Sequence, residues 1–366
     1  MRKVRVAVVG CGNVAEKYVP HLQRSTAVDL VAVCDPLVDR ARSFAQAYTI
    51  EHTFQDIDQM LSTLDFELLA NLTPMPLHAP INRLALEAGR NVWCEKPIAT
   101  DLAEAQALLS LAQQHSVGLW SAPANPISPP FQFMAQALST GTIGRVFAAH
   151  GIIGSSGPGW PGSAWFYQKG GGSLFDVGVY NVTLFTGLLG PAQSVVAMAG
   201  TAIPQRIING EAITVEADDN TALLLDHGNA VYSVIQAGFV YAAQRQDWTV
   251  QLIGTGGALT MGGYAWEPEE ISVYRGDQVR APGQWETFRP QGQATYVWQS
   301  GATYIAECLA KGEKPLLSGE HAVHVLEAML AAKRAAKTGS RVQISSTFPW
   351  PLLAHERTTT IGRKAI

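Results

Sequence analysis

The first 120 residues alternate between apolar runs and segments suited to helices. The run VRVAVV (4–9) leads into a glycine-rich turn and a helix-compatible segment, and LVAVCD (30–35) follows as the next apolar run. The runs FELLAN (66–71) and NVWC (91–94) continue the alternation, with helix-compatible sequence between them. Repeated winding from strand to helix predicts an α/β fold with a doubly wound parallel sheet, which we assign to residues 1–122.

The pattern changes after about residue 123. Longer alternating strands follow, among them SVVAMAG (194–200), and DHGN (226–229) predicts the turn of a hairpin. We assign residues 123–353 to an α+β domain with a large, mostly antiparallel open sheet, and the polar residues 354–366 to a mobile tail. Because an uncovered sheet face exposes apolar surface, we expect a homodimer or homotetramer that forms through this sheet.

Composition limits the classes of protein to consider. Of the 366 residues, 47% are apolar and 15% are charged, and the formal net charge is −4. We therefore expect no nucleic-acid partner and no membrane attachment, since no strong basic field and no bilayer-length apolar run is present. The cysteines lack metal-ligand or redox-pair spacing, which favours reduced thiols in a cytoplasmic protein. They are Cys11, Cys34, Cys94 and Cys308.

The turn after the first strand carries a dinucleotide-binding pattern. In GCGNVA, Gly10 permits a sharp turn, Gly12 lets the backbone approach a pyrophosphate, and the small Ala15 packs helix on strand. The phosphates are then expected at the N-terminus of the following helix, beside Asn13 and Val14.

Asp35 ends the second apolar run. A carboxylate at this position of the fold accepts the ribose hydroxyls and repels a 2′-phosphate, so NAD is predicted over NADP. Arg40 would offset part of that repulsion. The alternative interpretation of Asp35 is a turn-initiating residue before Pro36.

Further candidates lie at the carboxyl ends of the strands, where such sheets bind their ligands. Lys96 follows the run NVWC in the motif WCEKPIA, and Pro97 prevents simple continuation of the strand. We expect the Lys96 ammonium to point into the cofactor crevice, with a solvated charge at a strand end as the alternative. The other candidates for cofactor binding at these ends are Thr73, Pro74, His78 and Glu95.

Six motifs occur together in one order: GCGNVA, AVCDP, LTPMPLHAP, EAGRNVWCEKPIA, GTIGRV and GGGSLFDVGVYNVT. Over nearly the whole chain they resemble the Gfo/Idh/MocA oxidoreductases, the family of glucose-fructose oxidoreductase and inositol dehydrogenase. The resemblance implies an N-terminal Rossmann domain and a C-terminal α/β domain with a large open sheet. It also implies that Lys96 is catalytic, at the substrate and the nicotinamide, with Lys96–Pro97 as a cis peptide.

The last of these motifs departs from the commonest family pattern. Many members carry three glycines, then an Asp and, four residues later, a His. Here Asp176 follows the glycines and Tyr180 stands at the His position. This resembles the glucose-fructose oxidoreductase branch and some dihydrodiol and xylose dehydrogenases, so tyrosine is compatible with activity and argues against an inositol-dehydrogenase type of site.

Oxidation of a hydroxyl group requires a base that takes the hydroxyl proton as the hydride leaves. A free tyrosine titrates near ~10, and cations beside it, here Lys96 and the oxidised nicotinamide, favour the phenolate. We therefore predict that Tyr180 transfers the proton, that Lys96 holds the substrate oxygen, and that Asp176 accepts a neighbouring hydroxyl. The closest alternative reverses the roles of Tyr180 and Lys96. Asp176 as a helix cap and Tyr180 as a core aromatic are the structural alternatives.

The segment GPGWPGSAWFYQKGGG (157–172) is rich in glycine and aromatic residues. Its aromatic side chains are interpreted as an apolar wall for a sugar ring, with an ordinary surface loop as the equal alternative. Together with Asn125, at a strand end, the additional candidates for substrate binding are Trp160, Trp165 and Tyr167.

These patterns predict an NAD-dependent oxidoreductase that acts on a secondary hydroxyl of a sugar or related polyol. No metal is predicted, because the pair His321 and His324 has no evident third ligand. One alternative is an NADPH-dependent reductase that uses the same site in the opposite direction. Another is a sensor that binds a dinucleotide without catalysis, as a resemblance to the galactose-pathway repressor branch permits. The joint presence of Lys96, Asp176 and Tyr180 argues against the sensor.

Overall fold

The computed structural model describes residues 2–244, 248–276, 282–290, 296–354 and 361–363. The chain forms two compact units. Unit 1 comprises Met1–Ala124 and Trp298–Leu326, and unit 2 comprises Asn125–Val297 and Glu327–Ile366. After residue 297 the chain therefore returns to unit 1. The predicted division, with one boundary between residues 122 and 123, did not include this return.

Unit 1 is built on a six-stranded parallel sheet. Its strands and the helices between them are β1 (Val4–Val9), α1 (Ala15–Arg24), β2 (Val28–Cys34), α2 (Val38–Tyr48), β3 (His52–Phe54), α3 (Ile57–Thr63), β4 (Leu68–Asn71), α4 (His78–Glu87), β5 (Asn91–Cys94), α5 (Leu102–Gln114) and β6 (Leu119–Ser121). The strand order is β3-β2-β1-β4-β5-β6. The order reverses between β1 and β4, which is the switch point where such sheets bind dinucleotides. The predicted doubly wound parallel sheet is confirmed.

The apolar runs form strands because both faces of this sheet are covered. All four residues of β4 are buried, and every residue of β1 except Arg5 is buried, as expected for a parallel sheet between helices. Helix α5 begins after Asp101, whose Oδ1 accepts the Glu104 N–H at 3.0 Å. This N-cap starts the helix at a defined residue.

Unit 2 is built on a large, mostly antiparallel sheet. The elements from residue 129 onward are α6 (Pro129–Ser139), β7 (Val146–Gly154), α7 (Val179–Leu189), β8 (Ser194–Gly200), β9 (Gln205–Ile208), β10 (Glu211–Thr214), β11 (Asn220–Asp226), β12 (Tyr232–Gly238), β13 (Val250–Gly254), β14 (Gly257–Tyr264), β15 (Glu267–Arg275), β16 (Trp285–Pro290), α8 (Ser300–Lys311), α9 (Gly319–Thr338), β17 (Val342–Gln343) and β18 (Ile361–Arg363).

Ten of these strands form one sheet in the order β17-β8-β11-β12-β7-β13-β14-β15-β16-β18. The described strands pair antiparallel, except for β12 beside β7. The hairpin predicted at residues 226–229 is confirmed, since it joins β11 to β12. Most of the predicted mobile tail, 354–366, lies outside the described residues.

The sheet of unit 2 has one packed face and one exposed face. Helices α6 and α7 pack on it, against β15 and β7 respectively. On the packed face Leu223 and Ile235 are 3% and 0% exposed. On the opposite face Met198 is 80% exposed and Tyr232 is 43% exposed. This alternation along β8, β11 and β12 is the pattern of a sheet with one solvent-facing side.

Helix α8 belongs to unit 1, where it packs against α1, β1, β2 and β5. A Cβ at Gly301 would lie only 2.0 Å from the ring of Trp93, a fully buried residue of β5. Glycine at this position therefore allows the helix to approach the sheet closely. None of the helices within the described ranges is long and apolar enough to cross a bilayer.

Candidate active site

The turn after β1 has the geometry of a dinucleotide-binding turn. Gly10 adopts a φ of +92°, and a Cβ there would lie 2.9 Å from the backbone of Leu72 at the end of β4. Gly12 differs, because no heavy atom of the described residues lies within 4 Å of a Cβ built on it. Helix α1 follows, and its N-cap residue Val14 makes no side-chain cap bond to the part of the chain described. An open glycine beside an uncapped helix N-terminus fits a pyrophosphate.

Asp35, immediately after β2, is 4% exposed and faces this turn. Its Oδ2 accepts the Cys11 N–H at 3.0 Å, its Oδ1 accepts the Leu37 N–H at 2.9 Å, and Arg40 Nη1 lies 3.7 Å from Oδ2. The Leu37 bond is the turn role considered as the alternative. Each carboxylate oxygen keeps a second lone pair, so the same group fits a ribose hydroxyl as well.

Burial and the charge of Asp35 raise the pKa of the Cys11 thiol to about 12, with burial the larger cause. Cys11 therefore remains a neutral thiol at physiological pH. The thiol adds no negative charge of its own beside the expected phosphates.

Lys96 follows β5 directly, and its peptide bond to Pro97 is cis. The Lys96 backbone N–H donates to Glu95 Oε2 at 3.1 Å, and Glu95 Oε1 accepts the Tyr18 hydroxyl at 2.6 Å. Lys96 is half-buried, whereas Glu95 is 7% exposed. The Glu95 carboxylate is thus engaged within unit 1, where it restrains the backbone of the candidate lysine.

His78, the first residue of α4, is 1% exposed. Its Nδ1 lies 2.6 Å from the Pro97 carbonyl oxygen and its Nε2 lies 2.7 Å from the Thr73 carbonyl oxygen. Burial lowers the pKa of His78, and the two carbonyl contacts oppose this effect. Because both ring nitrogens face protein carbonyls, His78 links the turn after β4 to the turn after β5. A direct cofactor contact by the ring is not supported by this enclosure.

Thr73 and Pro74 form the turn after β4. The Thr73 hydroxyl donates to Asn71 Oδ1 at 2.6 Å, and Asn71 also accepts the Thr73 N–H at 3.3 Å. Thr73 is half-buried and Pro74 is exposed. The turn is therefore held in one conformation at the carboxyl edge of the sheet, close to the residues that flank Lys96 in sequence.

Asp176 lies in a π-helical turn, Leu174–Gly178, that leads directly into α7. The Val179 N–H bonds to the Leu174 carbonyl, five residues earlier. Such turns are rare and occur frequently at functional sites. Asp176 is half-buried, and Tyr180 in the first turn of α7 is 7% exposed.

The glycines before this turn have a steric role. Gly172 has a φ of +108°, and a Cβ there would lie 2.9 Å from the Asp218 carbonyl oxygen. A side chain at this position would be strained and would push the loop away from the end of the sheet. Gly172 therefore helps to fix the start of the π-helical turn.

Asn125 supports the same helix from a neighbouring turn. Its Nδ2 donates to the Tyr180 carbonyl oxygen at 2.8 Å, and the residue is 0% exposed. Its Oδ1 is buried and has no hydrogen-bond partner within the described residues. Asn125 was predicted to bind substrate, but its burial leaves no surface for direct contact, and it positions the backbone of Tyr180 instead.

The aromatic segment divides into an outer and an inner part. Trp160 is 48% exposed and meets Phe166 edge-on at 5.8 Å, while Trp165 stacks on Phe166 at 3.7 Å. Tyr167 is only 1% exposed, and its hydroxyl donates to the Pro158 carbonyl at 2.8 Å. Tyr167 is therefore a core residue and does not belong to the predicted apolar wall. Its burial is tolerated because its hydroxyl has a hydrogen-bond partner inside the protein.

The structure adds two aromatic residues that the sequence analysis missed. Trp266 meets Tyr180 edge-on at 5.8 Å and stacks on Tyr264 at 4.3 Å. Tyr264 and Trp266 lie at the tip of the β14–β15 hairpin, where Tyr264 pairs with Glu267. No local pattern indicates the contact with Tyr180, since it joins a hairpin tip to a helical residue that lies more than 80 residues earlier in the chain.

Two family models match the chain. Residues 4–122 match the Gfo/Idh/MocA oxidoreductase family model with an NAD-binding Rossmann fold, and residues 131–260 match the model of the Gfo/Idh/MocA C-terminal domain. The chain belongs to the Gfo/Idh/MocA family. The predictions of the family and of an oxidoreductase enzyme are thereby confirmed.

Several relatives of this Gfo/Idh/MocA protein are named dehydrogenases. D-apiose dehydrogenase of Paraburkholderia graminis is 24% identical over 94% of this chain and 91% of its own length. The trans-1,2-dihydrobenzene-1,2-diol dehydrogenase of Mus musculus is 26% identical over 88% of this chain and 95% of its own. A crystal structure of an NAD-binding oxidoreductase from Klebsiella pneumoniae shares the fold. Its TM-score is 0.83 over 94% of this chain and 99% of that chain, at 22% identity.

Within this Gfo/Idh/MocA chain, each unit gathers its own group of candidate residues. Unit 1 brings together the glycine turn, Asp35 and the two strand ends that carry Thr73 and Lys96. Unit 2 brings Asp176 and Tyr180 onto one helical segment. Across the described ranges no group of three or more His, Cys, Asp or Glu side chains is arranged to hold a metal ion.

Proposed function

We propose that this protein is a dehydrogenase that uses NAD to oxidise a secondary hydroxyl of a sugar or polyol. The observation that carries the proposal is the position of Lys96. It stands at the carboxyl end of β5, the edge of a Rossmann sheet where ligands bind, and its backbone is restrained by a buried carboxylate. The names of the relatives, which refer to a sugar and to a diol, support the same class of substrate.

The roles proposed for the residues follow from their chemistry. The Lys96 ammonium donates to the substrate hydroxyl oxygen, Tyr180 takes the proton from that oxygen, and Asp176 accepts a hydrogen bond from an adjacent hydroxyl. The exposed ring of Trp160 and the half-buried ring of Trp165 pack against the carbon skeleton of the substrate. A bound nicotinamide supplies the hydride acceptor for the reaction.

The residues proposed to hold the dinucleotide are those of the glycine turn and Asp35. The backbone N–H groups at Gly12, Asn13 and Val14 face the phosphates, where the helix dipole favours negative charge. The preference for NAD over NADP rests on the Asp35 carboxylate, which two backbone N–H groups hold at the end of β2. Arg40, 52% exposed at its side chain, is the residue that would favour NADP.

Isotope transfer tests this function directly. Purified protein is titrated with NAD and with NADP, and then assayed against sugars and polyols deuterated at each secondary carbinol carbon. We expect NAD to bind more tightly, and the deuterium of one carbinol carbon to appear in the reduced dinucleotide. Dinucleotide binding without turnover on any member of the panel would contradict the proposal and favour the sensor.

We also propose that the exposed face of the unit 2 sheet forms the contact of a homodimer or homotetramer. Val196, Met198, Tyr232 and Val234 expose between 38% and 80% of their surface on that face, an apolar patch that favours association. The aspartate variant Met198→Asp should lower the mass measured by light scattering to that of the monomer. Ile207→Asp is the matched control, since Ile207 is 75% exposed on the separate β9–β10 hairpin. An unchanged mass in Met198→Asp would refute this contact.

The localisation proposed is cytoplasmic. All four cysteines are free and buried, which is the usage expected in a reducing compartment. Fractionation of the cells that produce the protein would test the proposal.

A further inference from the structure

Tyr18 connects the dinucleotide-binding helix to the residue before Lys96. It lies on α1, directly after the glycine turn, and is 0% exposed. Its hydroxyl donates to Glu95 Oε1 at 2.6 Å and accepts the indole N–H of Trp93 at 3.3 Å. The Tyr18 ring meets Trp298 edge-on at 5.5 Å. Packing against the second segment of unit 1, Trp298–Leu326, therefore also holds the Tyr18 ring in place.

Glu95 passes this restraint to the candidate lysine. One carboxylate oxygen accepts the Tyr18 hydroxyl, and the other accepts the Lys96 backbone N–H at 3.1 Å. Both bonds are made to an ionisable carboxylate that is 7% exposed, and hydrogen bonds to such groups are stronger than those between neutral groups. The direction of Glu95, and through it the start of the Lys96 side chain, therefore depends on Tyr18.

We propose that Tyr18 is a positioning residue for Lys96 and acts through Glu95. The helix that receives the dinucleotide phosphates then fixes the backbone from which the lysine extends. This inference rests on the role proposed for Lys96 in the reaction. It differs from a purely structural role, because Tyr18 would affect the turn at Lys96 more than the stability of unit 1 as a whole.

Hydrogen exchange tests the restraint without any need for turnover. Tyr18→Phe keeps the ring and removes the hydroxyl. Tyr304→Phe is the matched control, because the Tyr304 hydroxyl accepts the Leu316 N–H at 2.8 Å elsewhere in unit 1. In Tyr18→Phe we expect the Lys96 amide to exchange roughly tenfold faster, with the amides of β1 unchanged, since local opening of one turn leaves the sheet protected. Exchange at wild-type rate, or a uniform increase over β1 as well, would overturn the proposal.

Kinetics with the substrate found for the wild type provide a second readout. Tyr18→Phe should lower kcat by about tenfold or more, as expected for the loss of a hydrogen bond to a charged group, with the NAD dissociation constant unchanged. In a Glu95→Ala background the same substitution should have no further effect, because Tyr18 acts through Glu95. Additive losses in the double variant would overturn the proposal. Failure of the proposed function would appear differently, as a wild type without turnover whose Lys96 amide still depends on Tyr18.

Discussion

The two glycines of the dinucleotide turn should respond differently to alanine. At Gly10 the backbone has a φ of +92°, and a Cβ would lie 2.9 Å from the carbonyl carbon and oxygen of Leu72. At Gly12 a Cβ would have no neighbour within 4 Å among the described residues. Gly10→Ala is therefore expected to damage both the fold and the binding site, whereas Gly12→Ala should damage the binding site alone.

The expected cost follows from the geometry at each position. A left-handed conformation costs an alanine about 1–2 kcal/mol, and an overpacked contact costs about 1–3 kcal/mol. Their sum gives a destabilisation of about 2–5 kcal/mol for Gly10→Ala, which corresponds to a Tm lower by about 3–7 °C for the cooperative unfolding of a chain of 366 residues. Gly12→Ala lacks both contributions, so its free energy of unfolding should stay within about 0.5 kcal/mol of the wild type.

Thermal unfolding without dinucleotide and calorimetric titration with NAD separate these effects. Both variants should bind NAD at least about tenfold more weakly, a loss of about 1.4 kcal/mol of binding free energy. In Gly10→Ala the turn itself is distorted, and in Gly12→Ala the added Cβ would occupy the approach of the pyrophosphate. Equal losses of Tm in the two variants would refute the steric argument at Gly10. Wild-type NAD affinity in Gly12→Ala would refute the phosphate position.

Three further predictions concern cofactor choice, a buried ion pair and acid stability. Asp35→Ser should raise the affinity for NADP relative to NAD by about tenfold or more, since the repulsive carboxylate is removed; an unchanged ratio in paired titrations would contradict the role of Asp35. Arg206 lies 3.2 Å from Asp219, with side chains 11% and 1% exposed, so Arg206→Met should destabilise the protein by about 3–5 kcal/mol. The exposed ion pair between Arg289 and Glu270 supplies the control, and Arg289→Met should leave Tm nearly unchanged. Equal losses of Tm in Arg206→Met and Arg289→Met would refute the argument from burial. Burial, followed by the charge of neighbouring His324, lowers the pKa of His321 to about 3. Between about pH 6.5 and 3 the unfolded chain thus binds a proton that the folded chain does not, and stability should fall on acidification by up to about 1.4 kcal/mol per pH unit. If urea unfolding shows that the free energy of unfolding of His321→Gln changes with pH as steeply as that of the wild type, this assignment is contradicted.

The parts of the fold that were predictable from the sequence are those with a local pattern. The alternation before residue 120 indicated the parallel sheet, and residues 226–229 indicated the hairpin between β11 and β12, because each feature leaves a pattern in consecutive residues. The return of residues 298–326 to unit 1 has no such signal. Helix α8 is an ordinary amphipathic helix, and its place on β1 and β5 depends on contacts between residues far apart in the chain.

The candidate site shows the same division. Motif positions placed Lys96 at a strand end and Tyr180 on a helix, as the structure has them. The burial of Tyr167 and the enclosure of His78 were not predictable, because each depends on a partner from a distant segment or on the packing of a whole unit. The contact between Trp266 and Tyr180 was missed for the same reason.

The most direct test of the central claim is a comparison of NAD affinity and turnover in the wild type and in Lys96→Ala, with Lys17→Ala as an exposed-lysine control. All three proteins should bind NAD with similar affinity. The wild type and Lys17→Ala should oxidise the substrate, while Lys96→Ala should lose turnover by at least about a hundredfold, the lower range for removal of a group that acts in the transition state. Turnover by Lys96→Ala at the wild-type rate would show that Lys96 does not act in the reaction.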